Sequence, residues 1–166
     1  PDLATPTRLR STPLKVAGIL YIPNPLGLVE AFDAATGDTV WVQKPFAEAA
    51  TGRRRFGTRG VAFWESADDR RILNVQGEYL VALDATTGST VEDFGENGRV
   101  NLSTGLGPPR LSYRWTGVPL VVGDVVIVGS SMSDDPPVKR QPRGDVRAYD
   151  VRPGTLLWRF PSEEEH

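Results

Sequence analysis

The stretch Ala31–Trp41, with the sequence AFDAATGDTVW, decides the fold because two later segments repeat its spacing. These segments are Ala82–Glu92 and Ala148–Trp158. In each copy an Asp follows the Ala by two residues, a Gly follows that Asp by four, and the segment ends eight residues after the Asp. The aspartates are 84 − 33 = 51 and 150 − 84 = 66 residues apart. Repetition at such intervals indicates a fold built from repeated units.

Each copy has the composition of two antiparallel strands joined by a tight turn. The side chain of Asp33 is suited to accept hydrogen bonds from the backbone N–H groups just ahead of it. Gly37 supplies the positive φ that closes a short hairpin loop. One strand is therefore predicted to end at Asp33, and the next to run from near Asp38 through Trp41. The indole of Trp41 offers a large flat surface for packing against a neighbouring unit.

A second internal match adds another hairpin to the unit. Pro13–Ile22 aligns without gaps with Pro119–Val128, and each segment reads as strand, two-residue turn and strand. Each unit then holds about four short antiparallel strands, and its length is near or somewhat above the roughly 40–50 residues of a propeller blade. The alternative is a β-sandwich in which the similarity of the segments is accidental.

We therefore predict an all-β fold, a partial β-propeller of about three four-stranded blades in a single domain spanning residues 1–166. The approximate blades are 12–45, 59–95 and 116–162. The remaining length falls in stretches rich in Pro, Gly and charge, which we expect to be connections: Lys44–Thr58, Asn97–Arg110 and Asp134–Arg143.

Composition excludes several classes of function. The net charge of −2 gives no overall attraction to nucleic acid, and no apolar stretch is long enough for a membrane helix. The run Arg53–Arg55 has no interleaved aromatic residues, so it is predicted to be a solvated loop. Cysteine is absent and the only histidine is His166, which argues against a histidine-based catalytic triad or zinc site.

The repeat Ala-x-Asp-x-x-Thr-Gly-x-x-x-Trp resembles the tryptophan-docking motif of the quinoprotein dehydrogenases that depend on pyrroloquinoline quinone (PQQ). Those enzymes are eight-bladed propellers in which the Trp of one blade packs onto the next. Ala31–Trp41 fits the motif in full, whereas the second copy has Glu92 in place of Trp and the third has Pro153 in place of Thr.

Sequence between the repeats is similar to the same family, in family order; Thr58–Trp64 resembles a segment of the family as a whole, and the other segments resemble its membrane glucose dehydrogenase-like branch. The matching segments are Thr12–Val16, Thr58–Trp64, Asp93–Leu102, Tyr113–Thr116 and Gly129–Asp135. Because these segments and the three repeats are distributed along nearly the whole chain, the resemblance implies the N-terminal blades of such a dehydrogenase.

The resemblance implies cofactor contacts at Arg59, Thr116 and Ser131, and metal ligands at Asp134 and Asp135. A planar guanidinium suits the carboxylate or quinone oxygens of PQQ, and hard carboxylate oxygens suit Ca²⁺. Other interpretations remain open. Arg59 could pair with a nearby acid, the two hydroxyls could be satisfied by backbone, and the two aspartates could form a solvated turn.

Departures from the family pattern bear on the substrate. Arg55 stands where glucose-oxidising relatives carry His, and Arg10 stands where alcohol-oxidising relatives carry Glu. The vicinal cysteine pair of the alcohol branch is missing, which favours the sugar branch. The family's catalytic Asp lies in later blades, so no catalytic residue is assigned in this chain.

The implied parent function is oxidation of a sugar or alcohol by hydride transfer to PQQ, with Ca²⁺, in the periplasm. The chain is expected to be a fragment that is inactive alone, completed by the remaining propeller blades or by other copies of itself. No nucleic acid partner and no membrane span are expected. A non-catalytic propeller that scaffolds protein–protein contacts is the alternative.

Overall fold

The computed structural model describes residues 11–46, 59–105, 115, 117–130 and 145–161. These residues form twelve strands arranged in three antiparallel sheets of four strands each. No helix occurs among them, and so none of them lies in a helix long and apolar enough to cross a membrane. The predicted all-β partial propeller of about three four-stranded blades is confirmed.

The strands follow one another in chain order across each sheet. The first sheet consists of β1 (Leu14–Val16), β2 (Ile19–Pro23), β3 (Val29–Asp33) and β4 (Thr39–Val42). The second consists of β5 (Ala62–Ser66), β6 (Asp69–Gln76), β7 (Tyr79–Asp84) and β8 (Arg99–Asn101). The third consists of β9 (Leu120–Val122), β10 (Val125–Gly129), β11 (Asp145–Asp150) and β12 (Leu156–Pro161).

This order gives each sheet two distinct ends. The turn end carries the links from the first strand to the second and from the third to the fourth. The connection end carries the link from the second strand to the third and the links between sheets. Residues 43–61, 102–119 and 130–144 join strands at the connection end.

The turn end is built from the tight turns that the sequence predicts. Ala17 and Gly18 both have positive φ, 47° and 85°, as the two-residue hairpin between β1 and β2 requires. Asp33 Oδ1 accepts hydrogen bonds from the N–H groups of Ala35 and Thr36 at 2.8 and 2.9 Å. These two bonds, that of Thr36 foremost, hold the pKa of Asp33 below its ordinary value.

The second sheet differs from the sequence expectation at its fourth strand. Arg99–Asn101 lies within the stretch 97–110 expected to be a connection, yet it pairs with β7 as β8. Before it, Thr90 makes only an isolated bridge to Leu83. Asn97 and Gly98, at φ values of 53° and 81°, turn the chain back. The expectation failed because three-residue strands carry too little pattern to stand out between glycines.

The core lies in two layers on either side of the second sheet. One layer packs Trp64, Leu73 and Leu80 of the second sheet against Val126 and Tyr149 of the third. The other layer packs the opposite face of the second sheet, including Ile72 and Leu83, against the first sheet. Successive side chains of a strand point to opposite faces, and both faces of the second sheet are covered, which is why β6 and β7 are buried at most positions.

Candidate functional site

The first strands of the three sheets meet at the connection end. The backbone N–H of Thr12, just before β1, donates to the carbonyl of Arg59, just before β5, at 2.7 Å. Gly60 is buried so tightly that a Cβ on it would lie 3.0 Å from Val118 Cγ2, just before β9, and 3.2 Å from Thr12 O. Segments from all three sheets therefore converge at Arg59 and Gly60.

Arg59 is exposed at this convergence, although its glycine neighbour is buried. Its carbonyl is used by Thr12, which fixes the backbone and leaves the guanidinium outside the packed segment. No ion pair joins that guanidinium to an acid within the described parts of the chain. An exposed arginine on a fixed backbone is a suitable donor for a carboxylate or a quinone oxygen.

The other four residues assigned from the sequence lie outside the described residues: Thr116, Ser131, Asp134 and Asp135. Their assignment remains a prediction. What the structure does describe is the chain that flanks them. Trp115, immediately before Thr116, is buried in the core between the second and third sheets. Ser130 and Asp145 stand at the two ends of the stretch that holds the other three.

Ser130 and Asp145 are joined by a compact set of hydrogen bonds. The Ser130 N–H donates to the Asp145 carbonyl at 3.0 Å, and the Asp145 N–H donates to Ser130 Oγ at 2.8 Å. Ser130 Oγ also donates to the Asp145 carbonyl at 3.2 Å. The ends of β10 and β11 are therefore held together where the chain leaves for Ser131 and the two aspartates.

A buried ion cluster adjoins this junction, and it was not predicted from the sequence. The side chains of Asp145 and Arg147 are only 1% and 7% exposed, and Arg147 Nη2 lies 2.9 Å from Asp145 Oδ2. Arg159 Nε lies 2.6 Å from the same oxygen. The available signal was a charged residue at each of two alternate positions at the start of β11, on the face that packs against the second sheet. Burial raises the pKa of the adjacent Tyr149, and a hydrogen bond with Arg147 opposes that rise.

A pair of buried amides occupies the equivalent end of the other sheet interface. Gln76 Nε2 donates to Gln43 Oε1 at 2.7 Å, and the same oxygen accepts from the Val29 N–H at 3.0 Å. Gln43 follows β4, where the chain leaves for Arg59. The exits after β4 and after β10 are thus each held by buried polar side chains.

A recess of about 540 Å³ lies elsewhere, beside β8 at the far edge of the second sheet. Tyr79, Arg99, Arg147 and Leu156 are among its lining residues, whereas Arg59 is not. Among the described residues, no group of three or more His, Cys, Asp or Glu side chains is placed to hold a metal ion. The described residue that bears on the predicted cofactor site is therefore Arg59.

Comparison with known proteins agrees with this architecture. Residues 2–166 match the family described as PQQ glucose/ethanol/alcohol dehydrogenase, beta-propeller domain. The chain is 32% identical to the quinate/shikimate dehydrogenase (quinone) of Acinetobacter baylyi, over 90% of the chain and 21% of that protein. It is also 32% identical to the quinoprotein glucose dehydrogenase of Gluconobacter oxydans, over 90% of the chain and 20% of that protein.

A solved structure shows the same similarity. The quinohemoprotein alcohol dehydrogenase from Comamonas testosteroni superposes with a TM-score of 0.71 at 29% identity, over 93% of the chain and 21% of that structure. The chain therefore spans about one fifth of the length of the relatives that it matches.

Proposed function

Because this chain belongs to the β-propeller domain family of PQQ-dependent glucose, ethanol and alcohol dehydrogenases, we propose that it supplies three consecutive blades of such an enzyme. The substrate of the complete enzyme is a sugar or an alcohol, and its location is the periplasm. The observation that carries the proposal is the placement of Arg59, exposed on a fixed backbone where the first strands of all three sheets meet.

In this proposal the connection end faces the cofactor. Arg59 binds a carboxylate or quinone oxygen of PQQ, Thr116 and Ser131 donate hydrogen bonds to it, and Asp134 and Asp135 contribute oxygen ligands to Ca²⁺. PQQ, when bound, supplies the two-electron acceptor for the hydride removed from the substrate carbon. The residues of this chain hold and orient; the carboxylate that removes the substrate proton comes from outside it.

The outward face of the third sheet supports the presence of further blades. Leu120, Ile127, Ala148 and Trp158 follow one another across its four strands in register, and so they share one face. On this face the neighbouring Trp158 and Phe160 are 45% and 68% exposed, and Val146, which pairs with Phe160, is 39% exposed. Contiguous apolar surface of this kind marks a surface that packs against a partner.

The first sheet also has exposed apolar residues on its outward face. Val42, opposite Glu30 in the register, is 51% exposed, whereas Trp41 on the inward face is 8% exposed. We propose that both outward faces are covered by the remaining propeller blades or by other copies of this chain. The isolated chain is therefore expected to lack dehydrogenase activity.

The test is titration of the purified chain with PQQ in the presence and absence of Ca²⁺, followed by quenching of tryptophan fluorescence. We expect Arg59→Gln to weaken binding at least about tenfold, as loss of a charge-assisted hydrogen bond does. Arg70→Gln is the matched control, since Arg70 is an exposed arginine at the turn end, 3.6 Å from Glu65. It should bind PQQ as the wild type does.

Three results would contradict the proposal. Equal affinity of the wild type and Arg59→Gln would remove the cofactor contact from Arg59. No binding by the wild type would show that these blades carry no cofactor contacts of their own. Oxidation of glucose or ethanol by the isolated chain with PQQ and Ca²⁺ would show that no further blades are needed.

A further inference from the structure

The buried cluster of Asp145, Arg147 and Arg159 joins more than the two strands that carry it. Arg147 Nη1 donates to the carbonyl of Leu102 at 3.2 Å and to that of Thr104 at 2.7 Å. Both carbonyls belong to the second sheet's exit, just beyond β8, whereas Arg147 is part of β11 in the third sheet. One guanidinium thus bridges the two sheets at the connection end.

The same cluster holds the exit of β10. Asp145 accepts from Arg147 through its side chain, and through its backbone it exchanges hydrogen bonds with Ser130. The cluster therefore fixes Leu102–Thr104, where the chain leaves for Thr116, and Ser130, where it leaves for Ser131 and the two aspartates. These exits lead to four of the five residues assigned to the cofactor and the metal.

The chemistry of the cluster is better suited to fixing the positions of the two exits than to increasing the stability of the fold. A buried ion pair contributes little net stability compared with apolar packing, but it restricts the arrangement of the groups that satisfy it. Here Arg147, in β11 of the third sheet, donates hydrogen bonds to the carbonyls of Leu102 and Thr104, which follow β8 of the second sheet. Functional residues are held accurately when such supporting hydrogen bonds lock the elements that carry them.

We propose that Arg147, paired with Asp145, is a positioning residue that sets the two exits relative to each other, so that residues on both reach one cofactor. The inference rests on the proposed function, because it concerns the contacts assigned there to PQQ and Ca²⁺. Its structural part, the coupling of the two exits, is independent of the cofactor.

Arg71 provides a matched control with the same design at the opposite end. Its Nη1 donates to the carbonyls of Val151 and Arg152 at 3.0 and 2.6 Å, and its Nη2 lies 2.7 Å from Asp69 Oδ2. The Arg71 side chain is 9% exposed, close to the 7% of Arg147. Arg71 thus also bridges the second and third sheets, but at the turn end.

The experiment compares Arg147→Met with Arg71→Met in the full chain. The Arg147→Met variant leaves Asp145 paired with Arg159, so no buried carboxylate loses all its partners. Hydrogen–deuterium exchange is measured at the amides of Leu102, Thr104 and Ser130, and the affinity for PQQ is measured by tryptophan quenching. Arg147→Lys, which keeps the charge but not the forked geometry, is the second variant should Arg147→Met fail to fold.

We expect Arg147→Met to speed exchange at both exits and to weaken PQQ binding by about tenfold, as loss of a supporting contact does at other sites. Arg147→Lys should have a smaller effect of the same kind. Arg71→Met should speed exchange around Val151 and leave PQQ affinity unchanged.

Equal weakening of PQQ binding by both methionine variants would reduce Arg147 to a general structural role and overturn the inference. Unchanged exchange at either exit in Arg147→Met would also overturn it. If the wild type failed to bind PQQ, the proposed function would fall, and with it the cofactor role of Arg147. The exchange pattern would still decide whether Arg147 couples the exits.

Discussion

The indole ring of Trp41 lies directly over Gly88 of the neighbouring sheet. A Cβ on Gly88 would overlap Trp41 Cε3. The indole N–H donates to the carbonyl of Ala85 at 3.0 Å, and the Tyr21 hydroxyl donates to the same carbonyl at 3.1 Å. The segment between β7 and β8 thus forms the surface on which the aromatic residues of the first sheet pack.

The first prediction concerns Gly88. Alanine at this position meets both the positive φ of 72° and the indole ring, whereas Gly37, at φ 79°, has nothing within 4 Å of its would-be Cβ. We expect Gly88→Ala to lower the free energy of unfolding by about 3 kcal/mol, and Gly37→Ala by about 1 kcal/mol, because only the former adds overpacking to backbone strain. Urea denaturation measures both. Equal losses in the free energy of unfolding would show that the Trp41 ring moves aside without a cost.

The second prediction concerns Phe94, which takes the docking position left open by Glu92. Phe94 is fully buried, and its Cε2 would lie 3.2 Å from a Cβ on Gly154 of the third sheet. Truncation of a buried aromatic ring costs about 3–5 kcal/mol, so Phe94→Ala should unfold at much lower urea concentration. Phe160→Ala, at a residue 68% exposed, is the control and should shift the midpoint little. Similar shifts for the two variants would contradict this docking.

Some of these contacts were predictable from the sequence and others were not. The Asp-to-Gly spacing predicted the turn at Asp33 and Gly37, because Asx hydrogen bonding and positive φ are local properties. It did not predict that Phe94 would replace the missing tryptophan. That substitution depends on the path of the chain after the turn, where Gly95 donates to the Pro153 carbonyl of another sheet at 2.8 Å.

The candidate site likewise contains residues that the sequence identified and residues that it did not. Arg59 was identified from the family resemblance, and it lies where the first strands of three sheets meet; its contact with the cofactor remains a prediction. The Asp145–Arg147 cluster could not be predicted, since its partners Leu102 and Thr104 are more than forty residues away. Backbone carbonyls have no sequence signature, and a charged residue in a strand is usually solvated.

The third prediction compares two tryptophans that share a position in the repeat. Trp41 pairs with Ala31 in the first sheet as Trp158 pairs with Ala148 in the third, but their exposed fractions are 8% and 45%. In the isolated chain, Trp41→Ala should cost about 3–5 kcal/mol and Trp158→Ala about 1 kcal/mol, because the loss follows the burial. Urea unfolding measures the two losses.

The same two variants measured in an assembled form of the protein provide the control for this comparison. If a further blade or a second copy covers Trp158, its emission should shift to shorter wavelength and the cost of Trp158→Ala should approach that of Trp41→Ala. A large cost in a chain shown to be monomeric would mean that Trp158 is already covered.

The last prediction concerns acid stability and the carboxylate of Asp124 in the turn between β9 and β10. Asp124 lies 2.9 Å from Arg152 Nη1 and accepts from the Trp64 indole N–H at 3.1 Å. The hydrogen bond from Arg152, followed by that from Trp64, lowers the pKa of Asp124 below its ordinary value of 3.8. The native state thus binds this proton less readily than the unfolded chain, so the ionised carboxylate stabilises the fold above that pH.

Replacement by Asn should remove this pH-dependent part while keeping an oxygen for the Trp64 indole. At neutral pH we expect the urea midpoint of Asp124→Asn to lie below that of the wild type. The gap should narrow as the pH falls below 3.8 and through the lower folded-state pKa, because the wild-type carboxyl then becomes neutral as well. Asp68→Asn, at an exposed residue of the equivalent turn in the second sheet, between β5 and β6, controls for net charge. A gap of constant size from pH 7 to pH 3 would show that charge on Asp124 contributes nothing and that only the shape of the side chain matters.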